Sequence, residues 1–190
     1  MSEIRDVLTY AAGRGAEHLE EVGEHRVFPV AESLTSLRTA LGTLAEGPAA
    51  AVDVVRQLAD AVAPALVACN GPRYFGFVTG AALPAAVGAD VLTTSWDQNG
   101  YNHITSPANA VVEDVAGTWL KELLGIPTAA SFGFVTGAQG GNTVGLAAAR
   151  HHVLARAGWD VERRGLNGAP RLRVVATAER HATVEIGRAH

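Results

Sequence analysis

The chain has 190 residues, of which 48% are hydrophobic and 18% charged, and a formal net charge of −4. That length and composition suffice for a sizeable core, while the mild acidity excludes the basic surface that nucleic acid or an anionic membrane would require. The single cysteine, Cys69, excludes an internal disulfide framework, suits a reducing compartment and is expected to be a small buried residue.

In chain order, the N-terminal stretch Met1-Ser2-Glu3-Ile4-Arg5-Asp6 is charged and has no apolar signal core, which points to a cytoplasmic rather than an exported protein. From Ala31 to Glu46, Leu34, Leu37, Leu41 and Leu44 recur at helical spacing. After Gly47-Pro48 a second amphipathic helix runs through Val52, Val55, Leu58 and Val62. The segment Trp96 to His103 reads as a loop rich in hydrogen-bonding groups, with His103 serving a loop hydrogen bond. Ser106 and Pro107 then supply an N-cap and a first-turn proline to a helix reaching Leu124, with Val111, Val115 and Trp119 as its buried stripe. Lys121, the one lysine, stands near the end of that helix beside Gly125, where a lysine commonly faces solvent and favours the negative dipole end.

Leu123 to Ala149 carries no charged residue and is long enough to cross a bilayer, but its six glycines, Pro127, Gln139 and Asn142 argue for a buried strand-turn-helix instead. Its centre is the turn Thr136-Gly137-Ala138-Gln139-Gly140-Gly141-Asn142, which leads into the helix-forming run Thr143 to Arg150. Glycines let backbone amides approach a ligand closely, and the following helix points its unpaired N–H groups and positive dipole end at the same place, so the turn reads as an anion site. It lacks the Gly-Lys-Ser/Thr ending of a nucleotide P-loop and the tight Gly-x-Gly-x-x-Gly of a dinucleotide fold. Further on, Leu172 to Thr177 reads as a buried parallel strand, followed by Ala178-Glu179-Arg180-His181 and a helix beginning at Ala182. In an open α/β sheet the turn after Val135 and the turn holding His181 would face one crevice. The seven histidines contain no His-x3-His pair, and adjacent His151 and His152 diverge on a helix, so no metal site is expected.

Three segments together resemble the pyridoxal-phosphate-dependent amino-acid decarboxylases of the aromatic amino acid, tyrosine and glutamate decarboxylase group. They are Asn70-Gly71-Pro72-Arg73-Tyr74-Phe75-Gly76-Phe77; Thr105-Ser106-Pro107-Ala108 with Glu113 and Trp119 to Gly125; and the Thr136 to Asn142 turn joined to His181-Ala182-Thr183-Val184-Glu185. Order and spacing agree from Leu34 onward. The resemblance implies an α/β fold: an N-terminal helical arm over residues 1–75 that packs across a homodimer, then the first part of an aspartate-aminotransferase-like large domain over 76–190. It implies that Gly137, Ala138, Gln139 and Asn142 surround the cofactor phosphate and that His181 stacks on the pyridine ring. Thr79 would lie near the substrate carboxylate, and Tyr101 would line the pocket from the neighbouring subunit.

The chain departs from the family pattern at Gln139, where a serine usually donates to phosphate, and in lacking a downstream Schiff-base lysine and the aspartate that pairs with the ring nitrogen. No catalytic residue is therefore assigned within it. The implied protein is a truncated decarboxylase acting on the α-carboxylate of an amino acid, inactive as this chain alone. The alternatives are a non-catalytic remnant or partner subunit that binds a phosphate-bearing ligand, and another enzyme of the same architecture, such as an aminotransferase or desulfurase.

Overall fold

A computed structural model describes residues 2–44 and 46–188. Ala45, inside the first leucine-spaced run, and the terminal His190 lie outside the described residues. The helices are α1 (Glu3–Glu21), α2 (Ala31–Leu41), α3 (Ala51–Val62), α4 (Pro84–Trp96), α5 (Pro107–Leu123), α6 (Ala138–Arg156), α7 (Val161–Arg164) and α8 (Ala182–Arg188). The chain divides into two units, Met1–Asp97 and Gln98–His190.

In the first unit α1 and α2 both pack on α3. Polar groups fix the α1–α3 pair at several levels. Glu3 accepts from the Ala51 amide at 3.3 Å, occupying a donor that the start of α3 leaves unpaired. The Arg56 guanidinium lies 5.2 Å from the Tyr10 ring centre, and Arg14 reaches Asp60 at 3.6 Å. An open groove of about 960 Å³ runs between these helices, lined by residues that include Tyr10, His18, Phe28, Leu58 and Val62. The valine repeat forms α3, and the leucine repeat forms α2 only as far as Leu41, with Leu44 beyond the helix and 93% exposed; the face is partly covered, Val52, Val55 and Val62 being half-buried while Leu34 and Leu58 are about half exposed. Cys69 is exposed rather than buried, because the inward position at this turn is taken by Ala68, whose amide bonds the Val27 carbonyl at 3.0 Å.

In the second unit, the loop before α5 is folded by Asn102, whose Oδ1 accepts from the amides of Ile104 and Thr105, and by Thr105, whose hydroxyl donates to the Asn99 carbonyl. His103 takes no part in that set. Ser106 sits at the N-cap position and Pro107 at the first turn, but the serine side chain is buried and meets Gln98 at 3.4 Å instead of capping α5. The expected stripe of Val111, Val115 and Trp119 is exposed; α5 is buried at Gly117, where the Phe132 ring lies against the bare backbone. Lys121 does not face solvent freely. Its Nζ donates to the carbonyls of Thr128 and Ala130 at 3.0 and 3.1 Å and lies 5.5 Å from the Phe132 ring centre, tying the following loop to α5.

Among the described residues there is no strand. The run expected to be a buried strand, Leu172 to Thr177, is irregular, and Val175 is 95% exposed. A strand is stabilised by ladder hydrogen bonds and same-face neighbours, and the described residues bring none to this run. Buried apolar side chains are correspondingly few: Val22 and Ala68 in the first unit, Leu154 and Val161 in the second. The last two belong to α6 and α7, which pack on each other, and Trp159 between them donates to the Gly165 carbonyl at 2.9 Å.

Candidate functional site

The strongest helix pairing of the second unit is between α6 and α8, and it assembles the residues that the sequence had marked. The glycine-rich segment is helical from Ala138, so Gln139, Gly140, Gly141 and Asn142 form the first turn of α6 rather than a turn before it. Two helical glycines cost roughly 1 kcal/mol each relative to alanine. The preceding loop packs close to this turn, with Val135 3.4 Å from where a Cβ at Gly140 would stand, which is ordinary van der Waals contact.

The first intrahelical bond to the cap runs from the Gly141 amide to the Gly137 carbonyl at 3.2 Å. The amides of Ala138, Gln139 and Gly140 therefore have no partner within the helix. No acidic side chain occupies the first turn of α6, so nothing there opposes an anion drawn to those amides and to the dipole.

His181 immediately precedes α8 and acts as its cap through the ring: the Thr183 amide donates to His181 Nδ1 at 3.2 Å, and the Thr183 hydroxyl lies 2.9 Å from the same nitrogen. The Asn142 side-chain amide donates to that hydroxyl at 2.7 Å. Asn142 and His181, on different helices, are thus joined through Thr183, a residue that sequence reading assigned no role. Behind them Gly187 is buried against α6, where a Cβ would stand 3.2 Å from Leu146 and 3.3 Å from the Thr143 backbone. Arg180 pairs with Glu185 on the outer side of α8.

The remaining expected site residues are not part of this cluster. Thr79 belongs to the first unit, where its hydroxyl stands 3.5 Å from the Cys69 carbonyl. Tyr101 lies in the loop before α5 and is 84% exposed. No group of three or more histidine, cysteine, aspartate or glutamate side chains suited to a metal ion exists among the described residues. None of the described helices is long and apolar enough to cross a membrane.

No protein-family model matches the chain. Curated relatives do. Tryptophan decarboxylase 1 of Oryza sativa subsp. japonica is 30% identical over 142 residues, covering 68% of this chain and 26% of that protein. An aromatic-L-amino-acid decarboxylase of Drosophila melanogaster is 27% identical over 129 residues, covering 68% of this chain and 25% of the relative. Phenylacetaldehyde synthase of a Rosa hybrid cultivar is 27% identical over 79 residues, or 42% of this chain and 16% of the relative. The chain thus spans about a quarter or less of the length of these relatives. In fold it is similar to mouse CSAD, with a TM-score of 0.79 over 98% of this chain and 38% of that one at 20% identity. The chain is related to the pyridoxal-phosphate-dependent amino-acid decarboxylases and corresponds to a partial region of them.

Proposed function

We propose that the chain forms one wall of the cofactor site in a homodimeric decarboxylase that removes the α-carboxylate of an amino acid. The observation that carries this reading is the junction of the α6 N-terminus with His181 through Asn142 and Thr183, in a chain whose curated relatives include tryptophan, tyrosine and aromatic-amino-acid decarboxylases.

The residues suit pyridoxal 5'-phosphate. The amides of Ala138, Gln139 and Gly140 offer donors to a phosphate, Gly137 leaves the approach open with nothing within 4 Å of where its Cβ would be, and the Gln139 side-chain amide can donate where the family has serine. His181 presents a ring fixed at one nitrogen, suited to lie against a flat heteroaromatic. When bound, the cofactor supplies the electron sink for the pair released as the carboxylate leaves. What this chain contributes is orientation, since anchoring the phosphate and fixing the ring plane set the angle of the breaking bond. Thr79 and Tyr101 complete the reading as substrate contacts, Tyr101 from the second subunit. The helical arm over residues 1–75 is taken to form the dimer contact, and the cytoplasm to be the site of action.

Lys121 supports the expectation that the chain alone is inactive. Both of its carbonyl partners and the Phe132 ring hold the amine in a structural tie, and no other lysine is present. The test is spectroscopic titration of the protein at its full natural length with pyridoxal 5'-phosphate. His181→Ala is expected to weaken cofactor binding at least tenfold, and unchanged affinity would refute the assignment. Turnover by the 190-residue chain alone would refute its proposed inactivity.

A further inference from the structure

We propose that Thr183 and Asn142 are positioning residues for His181: Thr183 fixes the tautomer of its ring, and Asn142 orients the Thr183 hydroxyl. The proposal rests on the reading of His181 as the residue that lies against the cofactor ring, and it follows from donor and acceptor chemistry at three atoms.

The Thr183 backbone amide can only donate, and it is 3.2 Å from His181 Nδ1. That nitrogen must therefore present its lone pair, which places the proton of a neutral ring on Nε2. The Thr183 hydroxyl, 2.9 Å from the same nitrogen, then faces a lone pair and turns its own proton toward it. In doing so it frees its oxygen to accept, and the Asn142 amide fills that place at 2.7 Å. Every member donates in one direction, from Asn142 through Thr183 to His181. The Asn142 side-chain amide has two N–H groups, one of which is engaged by Thr183, and the backbone amides of Ala138, Gln139 and Gly140 remain the unpaired donors for the phosphate.

The consequence is a neutral ring with a single N–H, on Nε2, and no freedom to exchange tautomers while the start of α8 holds its cap. Such a ring offers one donor in one direction to whatever lies against it. The relay also gives α6 a part at both ends of the ligand: its first amides face the phosphate, and its Asn142 orients the hydroxyl that meets the histidine.

The test uses the full natural-length protein labelled with 15N-histidine and free of cofactor, with the ring signals of His181 identified by their loss in His181→Gln. In the unsubstituted protein Nδ1 is expected to resonate as an unprotonated imidazole nitrogen and Nε2 as a protonated one. Asn142→Asp introduces a carboxylate that can only accept, so it draws the Thr183 hydroxyl proton away from Nδ1; the Thr183 backbone amide still donates, so Nδ1 stays unprotonated and loss of its second donor shifts the signal further from the protonated range. Thr183→Val is expected to shift it in the same sense, and Thr183→Ser to restore it. A protonated Nδ1 in the unsubstituted protein overturns the proposal, as does a signal unmoved by both Asn142→Asp and Thr183→Val. Because the signals are read without cofactor, failure of pyridoxal phosphate to bind a protein with the expected signals refutes the proposed function and leaves the relay supported.

Discussion

Gly117→Ala is expected to be destabilising although it replaces glycine by the best helix former, and the reason lies in one side chain. A Cβ at position 117 would fall 2.2 Å from Cε2 and Cζ of Phe132. Carbon atoms rest at about 3.5–4.0 Å, so the ring must withdraw by more than about 1 Å. Phe132 is 39% exposed, so most of its area is buried, and withdrawal forfeits a large share of the roughly 1.5–3 kcal/mol that full burial provides. It also weakens the Lys121 contact and the edge-on packing with Phe134, 5.9 Å between ring centres, each worth about 0.5–1 kcal/mol. Against this stands a helix-propensity gain of about 0.8–1 kcal/mol. The net loss is about 1–3 kcal/mol, which appears as roughly 5- to 150-fold faster hydrogen exchange at the amides of the last turns of α5. In a Phe132→Ala background the clash is gone, and Gly117→Ala should slow the same amides by about 4- to 5-fold. The same sign in both backgrounds would refute the argument.

Asp160→Ala removes the side chain that accepts from the Glu162 and Arg163 amides at 3.1 and 3.2 Å. It should cost about 0.5–2 kcal/mol locally, read as faster exchange of those two amides. Gly187→Val places a branched side chain where even a Cβ stands 3.3 Å from the Thr143 backbone. Overpacking of about 1–3 kcal/mol should part α8 from α6, and cofactor affinity measured by equilibrium dialysis should fall at least tenfold. Borohydride reduction with pyridoxal phosphate should leave no adduct at Lys121, whose amine is engaged by two carbonyls; a modified Lys121 peptide in the mass spectrum would contradict its structural role.

How legible each part was in the sequence depends on how local its cause is. α2, α3 and α5 were readable because apolar spacing and a Ser-Pro start are properties of neighbouring residues. α1 and α4 gave weaker signals. In α1, Ile4, Leu8 and Leu19 are scattered among charges, and in α4 alanine and glycine dilute the apolar face. Glycine content concealed the true start of α6, because a glycine against Val135 and a glycine in a turn look alike in sequence. The marked residues of the α6 turn and His181 do meet. Their link through Thr183 was not legible, since it joins positions 41 residues apart and exists only once α8 packs on α6.

The chain exposes much surface, and the cluster around His181 is formed while no strand is present among the described residues. Accessible surface totals 15194 Å² for 19.7 kDa. A folded monomer of that mass exposes about 8,600 Å², and two separate folded units about 10,400 Å² in all. The excess is apolar in large part, with Phe77, Val78 and Val175 each more than 90% exposed. A strand needs at least one paired neighbour, and none is present for these runs among the described residues. The cap and relay around His181 need only α6 and α8, with an irreducible set of three side chains and one backbone amide. The start of α6 and His181 therefore keep their mutual geometry through the packing of α6 and α8. The opposite wall of the site, the reactive lysine and the apolar cover belong, on the proposed reading, to residues this chain does not contain.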